Sequence, residues 1–208
     1  MILFVTGTDT GVGKTYFTCA AVEFLRKNQK DVLGFKPVET GCSHRCRDAY
    51  LIGKSSGLEV PPVFCFKTPV APAVASEIEG ISISKEKLIR EISELADKFE
   101  ILFVEGAGGL MVPITWDFNY LDLAKAISAE VVVVALNRLG VINHTLLTVK
   151  MCELSGVKVR GVVLNSFKDF DESFKTNFDS LSRLLDVPVS PFFSKADISK
   201  VLKDFSIS

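Results

Sequence analysis

The feature that most constrains this chain is its start, where an apolar run leads directly into a glycine-containing turn and then a helical segment. The run is Ile2–Gly7, and the turn reads Thr8-Asp9-Thr10-Gly11-Val12-Gly13-Lys14-Thr15. A glycine followed by Lys-Thr between a strand and a helix is typical of phosphate binding, because loop N–H groups and the electropositive helix start face one point. Lys14 would reach the β- and γ-phosphates of a nucleotide, and the Thr15 hydroxyl would hold Mg²⁺. The usual pattern places its first glycine where this chain has Thr8; here Gly7 comes one residue earlier.

Length, composition and charge narrow the class of protein. We expect 208 residues, of which 48% are hydrophobic, to form one domain spanning 1–208. A net charge of −1 without a basic stripe argues against a nucleic-acid surface. We expect no membrane span and no signal peptide, because apolar runs are short and the first residues already form a core strand. Five scattered cysteines favour a reducing cytoplasm over a disulfide framework.

The order of apolar runs and helical segments predicts an α/β fold with three layers. Short β-branched runs alternate with amphipathic stretches, which indicates a mostly parallel central sheet flanked by helices. The predicted strands are Ile2–Thr6, Val32–Phe35, Val63–Phe66, Ile101–Glu105, Val131–Leu136, Val159–Leu164 and Val187–Val189. The predicted helices are Lys14–Lys27, Asp48–Ser55, Lys85–Lys98, Tyr120–Ser128, Asn143–Ser155, Asp171–Leu185 and Ala196–Asp204. We expect the proline-rich stretch 61–72 to be a constrained loop.

Ligands of such sheets bind beyond the carboxyl ends of the strands, so the residues found there are candidates for function. Lys36 follows the second strand and would point toward the same phosphates as Lys14. Glu105 ends an apolar strand and precedes Gly106-Ala107-Gly108, where a carboxylate would bind Mg²⁺ directly or through water. Asp48 opens a helix, and taken alone it is better explained as an acid favoured by the helix dipole than as a metal ligand.

Three further stretches carry groups that could bind a ligand. The turn before the helix at Gly140 would leave N–H groups free to receive an anion such as a carboxylate. The Asn165 amide after a strand could pair with adenine, and the guanine-reading Asn-Lys-x-Asp pattern is absent from the sequence. The run 42–46 (Cys-Ser-His-Arg-Cys) offers three soft ligands but no second cluster, so we do not predict a zinc site. Cys19, Cys65 and Cys152 are predicted to lie in the core.

Taken together, these motifs resemble the ATP-dependent dethiobiotin synthetase family of the P-loop NTPase superfamily. The resemblance covers nearly the whole chain and includes the early glycine of the phosphate loop. It rests on the stretches 7–15, Lys36-Pro37-Val38, Asp48-Ala49, 104–109, 139–144 and Asn165. It implies a homodimer that converts 7,8-diaminononanoate, CO₂ and ATP into dethiobiotin through a carbamate and a carbamic–phosphoric anhydride, with Mg²⁺ as cofactor.

The resemblance also implies roles for individual residues. Lys14 and Lys36 would be catalytic, and Thr15, Asp48 and Glu105 would bind the metal. Substrate binding would fall to Thr40 and, across the dimer interface, to Gly140, Val141, Ile142 and Asn143. Nucleotide binding would fall to Thr10, Gly11, Val12, Gly13, Lys14, Thr15, Tyr16, Asp48, Glu105, Gly106, Ala107, Gly108, Asn165, Pro191, Phe192 and Phe193.

Two other classes of protein share part of this pattern. The amidating synthases of cobalamin assembly resemble this domain but carry an additional glutaminase domain, for which 208 residues leave no room. The P-loop switches that position chromosomes or division sites carry an extra lysine early in the loop, where this chain has Asp9 and Thr10. They also commonly carry a basic or amphipathic surface that this sequence lacks.

Overall fold

The computed structural model describes residues 1–167 and 171–207. Its centre is a six-stranded sheet in the order β10-β9-β8-β1-β5-β2, and every neighbouring pair in it is parallel. Two short two-stranded sheets, β3-β4 and β6-β7, lie outside it. The strands are β1 Ile2–Gly7, β2 Val32–Phe35, β3 Val38–Thr40, β4 Phe64–Phe66, β5 Ile101–Gly109, β6 Pro113–Thr115, β7 Phe118–Asn119, β8 Glu130–Leu136, β9 Val159–Asn165 and β10 Val189–Phe192.

Helices cover both faces of the sheet, as the sequence predicts. They are α1 Lys14–Lys27, α2 Arg47–Ser56, α3 Pro72–Glu79, α4 Lys85–Ala96, α5 Tyr120–Ala126, α6 Val141–Leu154, α7 Asn177–Leu184 and α8 Ile198–Asp204. Alternate residues of β1 enter different cores: Phe4 packs in one hydrophobic cluster, and Leu3 and Val5 in the other. None of the described helices combines the length and the apolar composition needed to cross a bilayer. The predicted three-layer α/β fold with a parallel central sheet is confirmed.

The last third of the chain differs from the predicted elements. A continuous helix was predicted over Asp171–Leu185, but a 3₁₀ turn, Glu172–Lys175, precedes α7. The Asp171 side chain accepts a hydrogen bond from the Ser173 N–H, which favours the tight turn over an α-helical start. The predicted strand Val187–Val189 begins two residues later, because β10 pairs with β9 from Val189 to Phe192.

The segment between β2 and α4 contains structure that the prediction left as loop. Pro72 occupies the first turn of α3, where its fixed φ favours a helix start. Strand β3 pairs with β4 in parallel, with Glu39 opposite Cys65. Cys19 and Cys152 are buried as predicted, but the prediction that Cys65 lies in the core is wrong, because β4 turns this side chain to solvent. A disulfide joins Cys65 to Cys46, a pairing that the sequence did not predict.

Candidate active site

The phosphate-binding turn follows β1 and is shaped by two glycines with left-handed backbone. Gly11 has φ 75° and Gly13 φ 97°, a region that L side chains adopt only at a cost. A Cβ at Gly13 would also stand 2.1 Å from Asn165 Nδ2. That amide donates to the Val12 carbonyl oxygen at 2.8 Å and so holds the loop against the end of β9.

Lys14 begins α1 and folds back over the turn. Its Nζ donates to the Asp9 carbonyl oxygen at 3.1 Å, and the side chain is buried. Burial, assisted by the positive charge of Lys36, lowers the pKa of Lys14 to about 8. The ammonium groups of Lys14 and Lys36, both predicted to act on phosphates, therefore lie close enough to repel each other. A bound polyanion would relieve this repulsion.

Glu105 lies at the centre of the polar network under the turn, and none of its surface is exposed. One carboxylate oxygen accepts from Thr15 Oγ1 at 2.7 Å and from Lys36 Nζ at 2.8 Å. The other accepts from Thr18 Oγ1 at 2.8 Å. Thr18 was missed in the sequence, although its position one helical turn after Lys14 could have indicated it.

Lys36 is buried at the carboxyl end of β2. Its Nζ donates to the Gly106 carbonyl oxygen at 2.7 Å and lies 3.7 Å from Asp48 Oδ2. Burial alone would lower the pKa of Lys36, but the carboxylates of Glu105 and Asp48 outweigh it and raise that pKa. Lys36 therefore carries a fixed positive charge at the mouth of the phosphate loop.

Asp48 reaches this network because Glu39 anchors the start of α2. The Glu39 carboxylate accepts hydrogen bonds from the backbone N–H groups of Asp48 at 2.9 Å and Ala49 at 2.8 Å. Burial raises the pKa of Glu39, while these two N–H groups act in the opposite direction. Sequence reasoning did not find Glu39, because its partners lie nine and ten residues further along the chain.

The turn, both lysines, Glu39 and Asp48 line a cleft of about 520 Å³, whereas the fully buried Glu105 and Thr18 are not among its lining residues. Its polar lining includes the turn, both lysines and Asp48. Its apolar lining comes from the segment Pro69–Pro72 at the start of α3 and from Val112 in the loop after β5. The cleft as a whole is lined by Thr10, Gly11, Gly13, Lys14, Thr15, Tyr16, Lys36, Glu39, Thr40, Asp48, Pro69, Val70, Ala71, Pro72, Ala107, Gly108 and Val112. The apolar residues Pro69–Pro72 and Val112 were not predicted.

The remaining predicted site residues lie outside this cleft in the described chain. Gly140 is the N-cap of α6, and the stretch 140–143 at that helix start is not among the lining residues. Asn165 Oδ1 is buried without a hydrogen-bond partner among the described residues. The Phe192 side chain is fully buried against Tyr16 and Phe17, whereas Phe193 is exposed. A nucleotide contact from this segment would involve Phe193 or the Phe192 backbone.

The ligands predicted for Mg²⁺ suit a hard cation. Thr15 and Asp48 line the cleft, and the buried Glu105 accepts a hydrogen bond from the Thr15 hydroxyl. The carboxylates of Glu105 and Asp48 both lie near Lys36 Nζ. Two carboxylates and a hydroxyl are the oxygen donors that Mg²⁺ takes beside phosphates. The donor set fits the ion.

Solved structures of other proteins share the fold of this chain. A ParA family ATPase from Chlorobium tepidum matches with a TM-score of 0.60 at 14% identity, over 99% of this chain and 90% of that one. The chloroplast FtsY of Physcomitrella patens matches with a TM-score of 0.53 at 16% identity, over 98% of this chain and 64% of that one. At these identities the likeness concerns the P-loop NTPase fold alone.

Comparison with sequence relatives identifies the family of this chain more specifically. Residues 2–191 match a family model described as an AAA domain. The ATP-dependent dethiobiotin synthetase BioD of Bacillus subtilis is 38% identical over 89% of this chain and 84% of its own length. The enzyme of the same name from Methanocaldococcus jannaschii is 35% identical over 99% of this chain and 97% of its own length. Similarity at this level, over nearly the full length of both chains, means that this chain belongs to the ATP-dependent dethiobiotin synthetase family.

Proposed function

We propose that this chain catalyses the ATP-dependent conversion of 7,8-diaminononanoate and CO₂ into dethiobiotin, releasing ADP and phosphate, in biotin biosynthesis. The observation that carries the proposal is the placement of two buried lysines, Lys14 and Lys36, at one phosphate-binding turn. A nucleotide-binding turn alone needs one lysine. A second fixed cation suits a reaction in which an anionic substrate attacks the γ-phosphate.

The chemistry requires charge stabilisation and positioning more than proton transfer. One amine of the substrate adds CO₂ to give a carbamate, whose oxygen attacks the γ-phosphorus. The neighbouring amine then attacks the resulting anhydride carbon, closing the cyclic urea and expelling phosphate. Lys14 and the loop N–H groups would hold the phosphates, and Lys36 would stabilise charge on the transferring group.

The apolar side of the cleft supports a substrate with a hydrocarbon chain. The segment Pro69–Pro72 gives the cleft an apolar wall, Val112 adds a further apolar side chain, and Thr40 lines the same cleft. A diamine bound here would lay its carbon chain on the apolar wall, with its reacting end beside the Thr40 hydroxyl. Most ligand sites pair an apolar lining with a few polar groups in this way.

Mg²⁺ would be held by Thr15, Asp48 and Glu105 and would neutralise charge on the phosphate oxygens. In the described structure the Lys36 ammonium lies between the two carboxylates. The Lys36 ammonium would therefore lie beside the ion, and both would contact the same phosphate group. The adenine would lie near Asn165, whose buried Oδ1 has a free acceptor position.

A homodimer would complete the substrate site. The stretch 140–143 would then bind the substrate carboxylate from the partner subunit, using N–H groups at the start of α6. Leu147 and Leu154 of α6, with Leu139 just before the helix, support this arrangement, because each is more than 60% exposed. Leu147 and Leu154 are seven residues apart and lie on one face of the helix, which a second copy would cover.

The test is phosphate release from MgATP and bicarbonate, with and without 7,8-diaminononanoate, combined with mass-spectrometric detection of dethiobiotin. We expect release that depends on the diamine and matches the amount of cyclic urea formed. Hydrolysis of ATP without dependence on the diamine would overturn the proposed substrate.

A further inference from the structure

Three cysteines from separate parts of the chain converge at the side of the cleft. Cys42 follows β3, Cys46 is the N-cap of α2, and Cys65 is the middle residue of β4. Their sulfur atoms all lie within 4.8 Å of one another. Cys42 is buried and Cys65 exposed, so the cluster runs from the interior to the surface. None of the three lines the proposed active site.

We propose that, in the reduced protein, these three thiolates bind a soft divalent metal ion, Zn²⁺ being the best match. Zinc–thiolate bonds of about 2.3 Å in tetrahedral geometry place the sulfur atoms roughly 3.8 Å apart. The observed cluster needs only side-chain rotation to reach that spacing. The pair 42 and 46 also has the Cys-x₃-Cys separation common in zinc sites.

The sequence did not predict this site because one of its ligands, Cys65, lies outside the run 42–46. Cys65 lies 19 residues after Cys46, inside an apolar stretch that reads as core. The parallel pairing of β3 with β4 brings it opposite Glu39 and next to the other two cysteines. The fourth position faces solvent beside the exposed Cys65, and we assign it to water.

The Cys46–Cys65 disulfide and the metal site are alternative states of one cluster. A disulfide uses two sulfurs and gives no reason for a third to lie beside them. The Cα atoms of the pair are 7.0 Å apart, just beyond the roughly 4.4–6.8 Å usual for disulfides. A thiol reductant supplies the two electrons and two protons that open the bond, and metal binding then displaces the three thiol protons.

The proposed metal would fix the start of α2. Cys46 precedes this helix, and Asp48 follows two residues later in its first turn. The metal would therefore tie the turn after β3, the helix start and β4 together, beside the hydrophobic cluster that includes Val38 and Phe66. Binding to the folded state alone would raise the melting temperature of the protein.

The test uses the full chain, reduced with a phosphine and freed of metal by a chelator under anaerobic conditions. Titration with Co²⁺, a spectroscopic substitute for zinc, should give a thiolate-to-cobalt charge-transfer band that saturates at one equivalent per chain. Zn²⁺ should then abolish the band. This band reports sulfur ligands only, so an ion at the phosphate loop does not contribute.

The matched variants are Cys65→Ser, at an exposed position, and Cys152→Ala, a buried cysteine outside the cluster. We expect the band and the zinc-dependent rise in melting temperature to disappear in Cys65→Ser and to remain in Cys152→Ala. A reduced wild-type chain without the band, or a band unchanged in Cys65→Ser, would overturn the proposal. None of these measurements needs ATP or the diamine, so the outcome is independent of the proposed function.

Discussion

Lys36 is the side chain on which the proposed chemistry depends most directly. Because Lys14 and the loop N–H groups would already hold the phosphates, Lys36 should act on the transition state and not on ATP affinity. We predict that Lys36→Gln lowers turnover by about 10²-fold or more, the scale of losing one preorganised donor. The dissociation constant for ATP should change little. Glutamine can still donate to Glu105, which limits the effect on folding.

The matched control is Lys85→Gln, a lysine that pairs with Asp117 on the surface away from the cleft. We expect its turnover and nucleotide affinity to equal those of the wild type. A Lys36→Gln variant that loses ATP binding but turns over bound ATP normally would contradict the assigned role. Steady-state kinetics and nucleotide titration together separate the two outcomes.

Lys14 gives the nucleotide affinity a pH dependence. With a pKa of about 8, Lys14 in the nucleotide-free protein is mostly charged at pH 7 and mostly neutral at pH 9. Bound ATP favours the charged form, so binding should take up close to one proton at pH 9 and about 0.1 at pH 7. Calorimetry without divalent metal, in buffers of different ionisation enthalpy, measures this uptake. Lys14→Met should abolish it, and equal uptake in wild type and variant would contradict the prediction.

Gly13 combines backbone strain with a close neighbour. We predict that Gly13→Ala lowers the free energy of unfolding by about 2–3 kcal/mol, through left-handed strain plus loss of the Asn165 hydrogen bond. Gly156→Ala is the control, because Gly156 has φ 71° and no atom within 4 Å of the added Cβ. It should cost only about 1–2 kcal/mol. Urea unfolding measures both, and equal losses would contradict the steric part of the argument.

At the scale of elements, α2 carries Asp48 into the site and depends on Glu39 for its position. We predict that Glu39→Gln lowers the free energy of unfolding by about 1–3 kcal/mol, since one N–H of the helix start then faces an amide NH₂. Asp48 should be held less firmly. The Mg²⁺ concentration needed for half-maximal activity should therefore rise.

The control for this variant is Glu23→Gln, because Glu23 is a partly exposed carboxylate that bonds Ser55 and Lys195. The free energy of unfolding of Glu23→Gln should fall by at most about 1 kcal/mol, and its Mg²⁺ requirement should equal that of the wild type. A Glu39→Gln variant that loses stability but keeps the wild-type Mg²⁺ requirement would show that Glu39 does not position Asp48.

At the scale of the whole molecule, the exposed stripe on α6 is the surface that a second copy would cover. We predict that Leu147→Asp, at a position 62% exposed in the single chain, converts a dimer into monomers. The KM for the diamine should rise, because the partner's carboxylate-binding turn is lost, while ATP affinity is kept. Light scattering after size exclusion measures the mass.

Leu58→Asp is the control, since this leucine is 48% exposed but follows α2 instead of lying on α6. It should leave the mass unchanged. A wild-type chain that is already monomeric and fully active would contradict the predicted interface.

The strands of the central sheet and the phosphate loop could be predicted because their signals are local. A strand buried on both faces reads as a continuous apolar run, and β1, β5, β8 and β9 all do. The carboxyl ends of parallel strands meet at one edge, which is why Lys36 and Glu105 could be expected near Lys14. The structure brings them within contact, and their roles in catalysis stay predictions.

The sequence by itself therefore determined the layered fold and the charged groups at the strand ends, because periodicity and strand direction are encoded over a few neighbouring residues. Only the tertiary structure decided the apolar wall at Pro69–Pro72, the Glu39 anchor and the convergence of Cys65 with Cys42 and Cys46. Each of these depends on β3 and β4, strands of three residues that pair across a long connection. Three residues are too few to show an alternating pattern, and the pairing of such distant segments is set by packing.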